Sequence, residues 1–229
     1  MPRVGLLTIG QSPRTDVTRD FEILLSDVEK LEFVEAGALD DLTPDEISRK
    51  LSPEPGHTVY VSRLRDGTQV MISREKIIPF VKEKIRKLED LGADLIVLLC
   101  SGEFPRFESR VPVIYPRELL VSCIRGISAT RPIAVVVPLR EQEEYAKKKW
   151  REIMGSNNFF VVSLSPYASS LNDFERLAKE LSSEKPSLVI MDCIGYTLEQ
   201  KKVLREKLGV PVVTTRGITA AFVKELLFK

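Results

Sequence analysis

Histidine is almost missing from this 229-residue chain, with His57 the single example. A histidine-rich metal site is thereby excluded, and any histidine-dependent catalysis has to pass through His57. Cysteine is scarce too: Cys100, Cys123 and Cys193 lie far apart, with no C-x-x-C pair. That spacing excludes a zinc ribbon or a secreted disulfide scaffold and points to a reducing cytoplasm. Charge of one sign is also lacking, since 34 Lys and Arg face 33 Asp and Glu for a net +1. The balance argues against nucleic acid or a membrane surface as partner. No apolar run approaches the ~20 residues of a membrane span, and the Met1-Pro2-Arg3-Val4 start carries no signal-peptide core. The glycines form neither G-x-G-x-x-G after a strand nor G-x-x-x-x-G-K-[ST], so nucleotide binding lacks its usual signal. Asn and Gln total seven beside plentiful Lys and Glu, a bias resembling that of thermophilic proteins.

What is present is a 43% apolar chain able to bury one α/β unit or two small fused halves. Short β-prone runs occupy residues 4–9, 31–36, 95–100, 111–114, 133–138, 159–164, 188–192 and 210–214. Most are continuously apolar, the pattern of parallel strands buried on both faces. Amphipathic helical stretches alternate with them. Ser12-Pro13-Arg14 predicts a cap followed by proline at the first helical position. Thr43-Pro44-Asp45-Glu46 and Thr197-Leu198-Glu199-Gln200 read as capping boxes. Residues 82–91 and 143–154 carry mixed charge, and there Trp150 reads as core and residues 147–149 as solvated face. Cys123 falls in the apolar pattern Leu119, Leu120, Cys123, Ile124, Ile127 and is expected in the core. Residues 55–73, around Arg65-Asp66-Gly67, read as an inserted β-hairpin with His57 at its start.

The order of segments repeats. Gly92-Ala93-Asp94 with its apolar run to Cys100 is echoed by Lys185-Pro186-Ser187 with the run to Cys193. Val-Pro-Val follows at 111–113 and again at 210–212, each leading into a helix, near Pro116 and near Arg216. Two pseudo-symmetric α/β halves, 1–130 and 131–229, account for this order. Each half is expected to hold a mostly parallel, helix-covered sheet. Cys100 and Cys193 then occupy equivalent positions at the carboxyl ends of buried strands, where ligands of open α/β sheets bind. A pseudo-twofold would bring both thiols to opposite sides of one cleft. Thr197 starts a helix four residues beyond Cys193, and a thiol near such a terminus gains acidity.

Two halves with one cysteine each after an apolar strand resemble the aspartate/glutamate/hydantoin racemase superfamily. Within it, residues 7–14 (Leu-Thr-Ile-Gly-Gln-Ser-Pro-Arg), Asp192-Cys193-Ile194-Gly195-Tyr196 and Thr214-Thr215-Arg216-Gly217-Ile218-Thr219 resemble the AroM-like family. The resemblance spans nearly the whole chain. It implies cofactor-independent proton transfer beside a carboxylate: one cysteine removes the α-proton and the other protonates the opposite face. Racemisation, isomerisation and decarboxylation of a small carboxylate are the reactions it suggests, with Cys193 and Cys100 as catalytic residues. Enolate and carboxylate oxygens need dense donors, for which Gln11, Ser12, Arg14, Ser101, Thr214 and Thr215 are the candidates. The resemblance also suggests a homodimer. The chain departs from typical racemases in that Cys100 precedes Ser101-Gly102-Glu103 rather than Asn-Thr or Asn-Ser. Cys193 also lacks the hydroxyl and imidazole of the usual Gly-Cys-Thr-His. The rival expectation is a non-catalytic protein that senses a small carboxylate in the same cleft.

Overall fold

The parallel sheets follow directly from the apolar runs. The computed structural model describes residues 1–227, which form two compact units. One unit comprises Met1–Pro116 with the chain from Val223 onward, and the other is Arg117–Phe222. The division falls at Pro116/Arg117, earlier than the 130/131 boundary expected from the repeat.

The first unit runs β1 (Arg3–Thr8), α1 (Thr15–Leu24), β2 (Glu32–Gly37), α2 (Pro44–Leu51), β3 (Val59–Arg63), β4 (Gln69–Ser73), α3 (Arg74–Asp90), β5 (Leu95–Leu99) and β6 (Val113–Ile114). Its main sheet is parallel throughout, in the order β2-β1-β5-β6. Strands β3 and β4 form the expected antiparallel hairpin as a separate two-stranded sheet. The second unit takes α4 (Pro116–Arg125) apart from its first residue. It continues with β7 (Ile133–Val137), a 3₁₀ turn at Arg140–Gln142, α5 (Glu143–Met154), β8 (Phe159–Ser163), α6 (Leu171–Ser183), β9 (Leu188–Met191), α7 (Leu198–Leu208), β10 (Val212–Thr214) and the start of α8 (Thr215–Leu227). Its sheet has the order β8-β7-β9-β10, again parallel. Matching β1 to β7, β2 to β8, β5 to β9 and β6 to β10 superimposes the two strand orders, which is the architecture the repeat implied.

Alternation along the strands distributes each core between two faces. In the second unit Ala134, Val136, Val189 and Met191 pack against α6 and α7, whereas Ile133, Val135, Val137, Leu188 and Ile190 pack with Trp150, Leu120 and Ile124. Burial on both faces is why β5, β7 and β9 read as unbroken apolar runs. Pro112 and Pro211 give no N–H to the sheet, so β6 and β10 begin after them. Their carbonyls still accept from Ile96 and Val189 at 2.9 and 3.0 Å.

The capping boxes at Thr43/Glu46 and Thr197/Gln200 form as expected, and Ser170/Asp173 supplies another at α6. Helix α1 departs from expectation. Its first residue is Thr15, and the Ser12–Pro13 bond is cis. The Ser12 hydroxyl and N–H are both given to the Asp40 carboxylate at 2.7 Å. The α1 start is tied down by Glu35, which accepts from the Arg14 N–H at 2.6 Å and the Thr18 hydroxyl at 2.8 Å. Helix α3 begins at Arg74, well before residue 82, because the Ser73 hydroxyl caps it directly from β4; Pro79 lies inside it. Cys123 is exposed rather than in the core. The buried stripe of α4 runs through Leu120, Val121 and Ile124, which turns residues 123 and 127 to solvent. Lys149 is likewise buried rather than solvated.

Candidate functional site

Cys100 stands one residue beyond β5 and Cys193 two residues beyond β9, on the corresponding face of each unit. Cys100 joins the cluster made with α2 and α3, and Cys193 joins that made with α6 and α7. Neither cysteine is in a disulfide, and both are buried. The chain turns in the same way at each. The Gly102 N–H donates to Cys100 Sγ at 3.3 Å, and the Gly195 N–H donates to Cys193 Sγ at 3.4 Å. An N–H aimed at sulfur favours the thiolate over the thiol.

A glycine is required at the second position of both loops because a tyrosine ring closes over it. A Cβ on Gly102 would stand 2.3 Å from the Tyr60 ring, and one on Gly195 would stand 2.4 Å from the Tyr167 hydroxyl. Tyr60 comes from the hairpin and donates to the Glu103 carbonyl at 2.7 Å, a carbonyl that also accepts from Arg74 at 2.7 Å. The hairpin insertion therefore clamps the loop after Cys100. These tyrosines and glycines escaped the sequence reading, although Cys-x-Gly recurs at 100–102 and 193–195.

Around Cys193 the polar groups are densely paired. Arg216, fully buried, donates from Nε to the Ile194 carbonyl at 3.0 Å and from Nη2 to the Gly195 carbonyl at 3.1 Å. Tyr196 donates to the Leu164 carbonyl at 2.9 Å and meets Phe174 edge-on. Burial, then the negative charges of Cys193, Asp192 and Tyr167, hold its phenol well above the ordinary range, so it stays a neutral donor. On the opposite face of β9, Asp192 Oδ2 accepts from Lys149 Nζ at 2.7 Å and from Trp150 Nε1 at 2.8 Å. Its Oδ1 is buried without a hydrogen-bond partner among the described residues.

The remaining candidates fall into two groups. Ser101 lies in the Cys100 loop, half-buried. Gln11, Ser12 and Arg14 follow β1, the strand beside β5, but their side chains are bonded within the unit. Gln11 donates to the carbonyls of Leu39 and Leu42 and accepts from the Arg65 N–H. Arg14 forms a two-pronged pair with Asp16, both contacts at 2.8 Å, and reaches the Thr8 hydroxyl at 3.2 Å. In the second unit Thr214 caps α8 by accepting from the Gly217 N–H at 2.9 Å, and Thr215 donates to the Met191 carbonyl at 3.3 Å. His57 lies apart, its Nδ1 2.9 Å from the Ser73 hydroxyl at the α3 start. Among the described residues no three His, Cys, Asp or Glu side chains gather as a metal-binding group. No described helix is long and apolar enough to cross a membrane.

A family model described as AroM protein matches residues 4–227. The chain belongs to the AroM family. No match arises among curated protein sequences. Among solved structures, this AroM-family chain is similar to the maleate isomerase Iso from Pseudomonas putida S16, with TM-score 0.61 and 13% identity over 98% of this chain and 92% of that one. It is similar to glutamate racemase from Aquifex pyrophilus, with TM-score 0.59 and 17% identity over 98% and 83%. Unliganded arylmalonate decarboxylase gives TM-score 0.59 and 14% identity over 99% and 93%. At these identities the likeness establishes the fold alone, one shared with these three proteins.

Proposed function

We propose that this AroM-family protein is a cofactor-independent enzyme that moves a proton at the carbon beside a small molecule's carboxylate, with Cys193 and Cys100 as the proton-transferring groups. The observation that carries this reading is the repeated loop in which the N–H two residues on donates to each thiol. In the step envisaged, one thiolate takes the α-proton. The C–H electron pair passes into an enolate held by hydrogen-bond donors, and the other thiol returns a proton to the carbon. Relatives of this fold named for racemisation, isomerisation and decarboxylation support that class of chemistry. Since the side chains of Gln11, Ser12, Arg14, Thr214 and Thr215 are bonded internally, their part is to shape the loops. In this reading carboxylate binding is assigned to backbone N–H groups at the strand ends, with Ser101 beside them in the Cys100 loop.

Incubation with a panel of small carboxylates in deuterated water tests the proposal and needs no single substrate chosen beforehand. Loss of the α-proton resonance is expected for at least one acid. Cys193→Ser should slow that exchange by about a hundredfold or more, in the range of a lost general base. Undiminished exchange in the variant removes Cys193 from the chemistry.

A second reading, a non-catalytic protein that binds a small carboxylate, draws on the missing hydroxyl and imidazole after Cys193. It expects thermal stabilisation by an acid of the panel without exchange in any.

A further inference from the structure

We propose that Arg216 is the positioning residue that sets the charge state of Cys193, acting through the peptide between Ile194 and Gly195. The inference rests on the reading of Cys193 as a proton-transferring thiol and explains how a buried sulfur is held as the anion.

Three facts make the connection. Arg216 Nε donates to the Ile194 carbonyl at 3.0 Å, and the N–H of that same peptide belongs to Gly195. The Gly195 N–H donates to Cys193 Sγ at 3.4 Å. Guanidinium, peptide and sulfur thus form one chain of hydrogen bonds, and each bond polarises the next in a low-dielectric interior. Meanwhile Nη2 holds the Gly195 carbonyl at 3.1 Å, so the fork fixes two consecutive peptides of the loop. Arginine suits this task because its planar charge is permanent and its donors are rigidly spaced.

The start of α8 aims the side chain. Thr214 caps the helix through the Gly217 N–H, and the Thr215 hydroxyl ties its first residue to the last carbonyl of β9. Other ionisable groups pull the opposite way. Burial favours the neutral thiol. Asp192 adds negative charge from the far face of β9, where Lys149 offsets it, and the phenol of Tyr196 stands close by as a neutral group, with the ring of Tyr167 over Gly195. Arg216 is the cation bonded to the thiol's own loop. The spacing Val-Pro-Val-x-x-x-Arg that leads to it recurs at 111–117.

The test is a pH titration of thiolate ultraviolet absorbance, taken as the difference between the intact chain and its Cys193→Ser variant. Cys193 is expected to titrate below the ordinary thiol value of about 8.5. Arg216→Gln keeps an amide donor for the carbonyls but removes the charge. It should raise the titration by about one unit or more, a tenfold loss of thiolate at a fixed lower pH. A folded Arg216→Gln chain with an unmoved titration overturns the proposal. So does a Cys193 that titrates at or above the ordinary value in the intact chain, which decides the matter even where the variant does not fold. Because the readout needs no turnover, it is independent of the exchange assay. A depressed, Arg216-dependent titration without exchange sinks the enzymatic reading alone, and exchange with an Arg216-independent titration sinks this one alone.

Discussion

Asp192 and Cys193 are neighbours in sequence that look to opposite sides of β9. The thiol faces α6 and α7, while the carboxylate faces α5, where Lys149 and Trp150 donate to it. Both charged side chains are deeply buried, at 6% and 5% exposed. The ammonium also lies 4.9 Å from the Trp150 ring centre. A pair so placed is costly to break, because the survivor keeps its charge in a medium that does not solvate it. Lys149→Met is therefore expected to lower the unfolding free energy by about 3–5 kcal/mol, measured by urea denaturation. That is a large part of the ~5–15 kcal/mol that holds a protein folded. Adding Asp192→Asn to the same chain should restore most of the loss, since the buried charge is then gone. A single variant within about 1 kcal/mol of the parent would mean that water reaches the pair. Nothing in the sequence marks Lys149 off from Lys147 and Lys148 beside it. Its partner is 43 residues away, and only tertiary structure brings the carboxylate to it.

At the scale of elements, local chemistry decided what could be read in advance. The strands were legible because both their faces are buried, and α2 and α7 were legible because their capping boxes close within four residues. The start of α1 was not, since the groups that settle it, Asp40 and Glu35, come from the β2 strand and the turn after it. Tyr60 and Tyr167 were equally hidden, each lying remote in sequence from the glycine it covers. Helix α2 offers a test of a local signal. The Glu46 carboxyl is held down to about 2 by Lys50 and by the Thr43 N–H and hydroxyl. A folded value below the ordinary 4.5 means that the stabilisation is complete above pH 4.5 and fades as pH falls toward 2. Glu46→Gln keeps the cap geometry but has no carboxyl to titrate. The midpoint of thermal unfolding should thus fall less steeply with acid in the variant than in the parent, most visibly between pH 4.5 and 2. Parallel curves would mean that the box is already frayed in solution.

For the whole molecule, the internal repeat was legible as an order of segments, and the identical strand orders bear it out. The place where one unit gives way to the other was not legible, because a repeat fixes the period of a fold and not its boundaries. Helix α4 follows the fourth strand of the first unit in sequence, yet Leu120 and Ile124 are fully buried among Ile133, Val135, Val137 and Trp150 of the second. Burying two such side chains contributes about 3–6 kcal/mol at ~1.5–3 each, again comparable with the whole stability of a domain. Cutting the chain by the repeat and cutting it by the packing should accordingly give different products. A fragment of residues 131–229 lacks the helix that covers one face of β7 and β9, leaving the indole of Trp150 and the strand valines in water. A fragment of residues 117–222 keeps that cover and the Lys149–Asp192 pair beneath it. The second fragment is expected to unfold cooperatively, with a sharp Trp150 fluorescence transition in urea, and the first to show a broad one or none. Equal cooperativity in the two would show that α4 contributes little to the second unit and that the repeat marks its true edge.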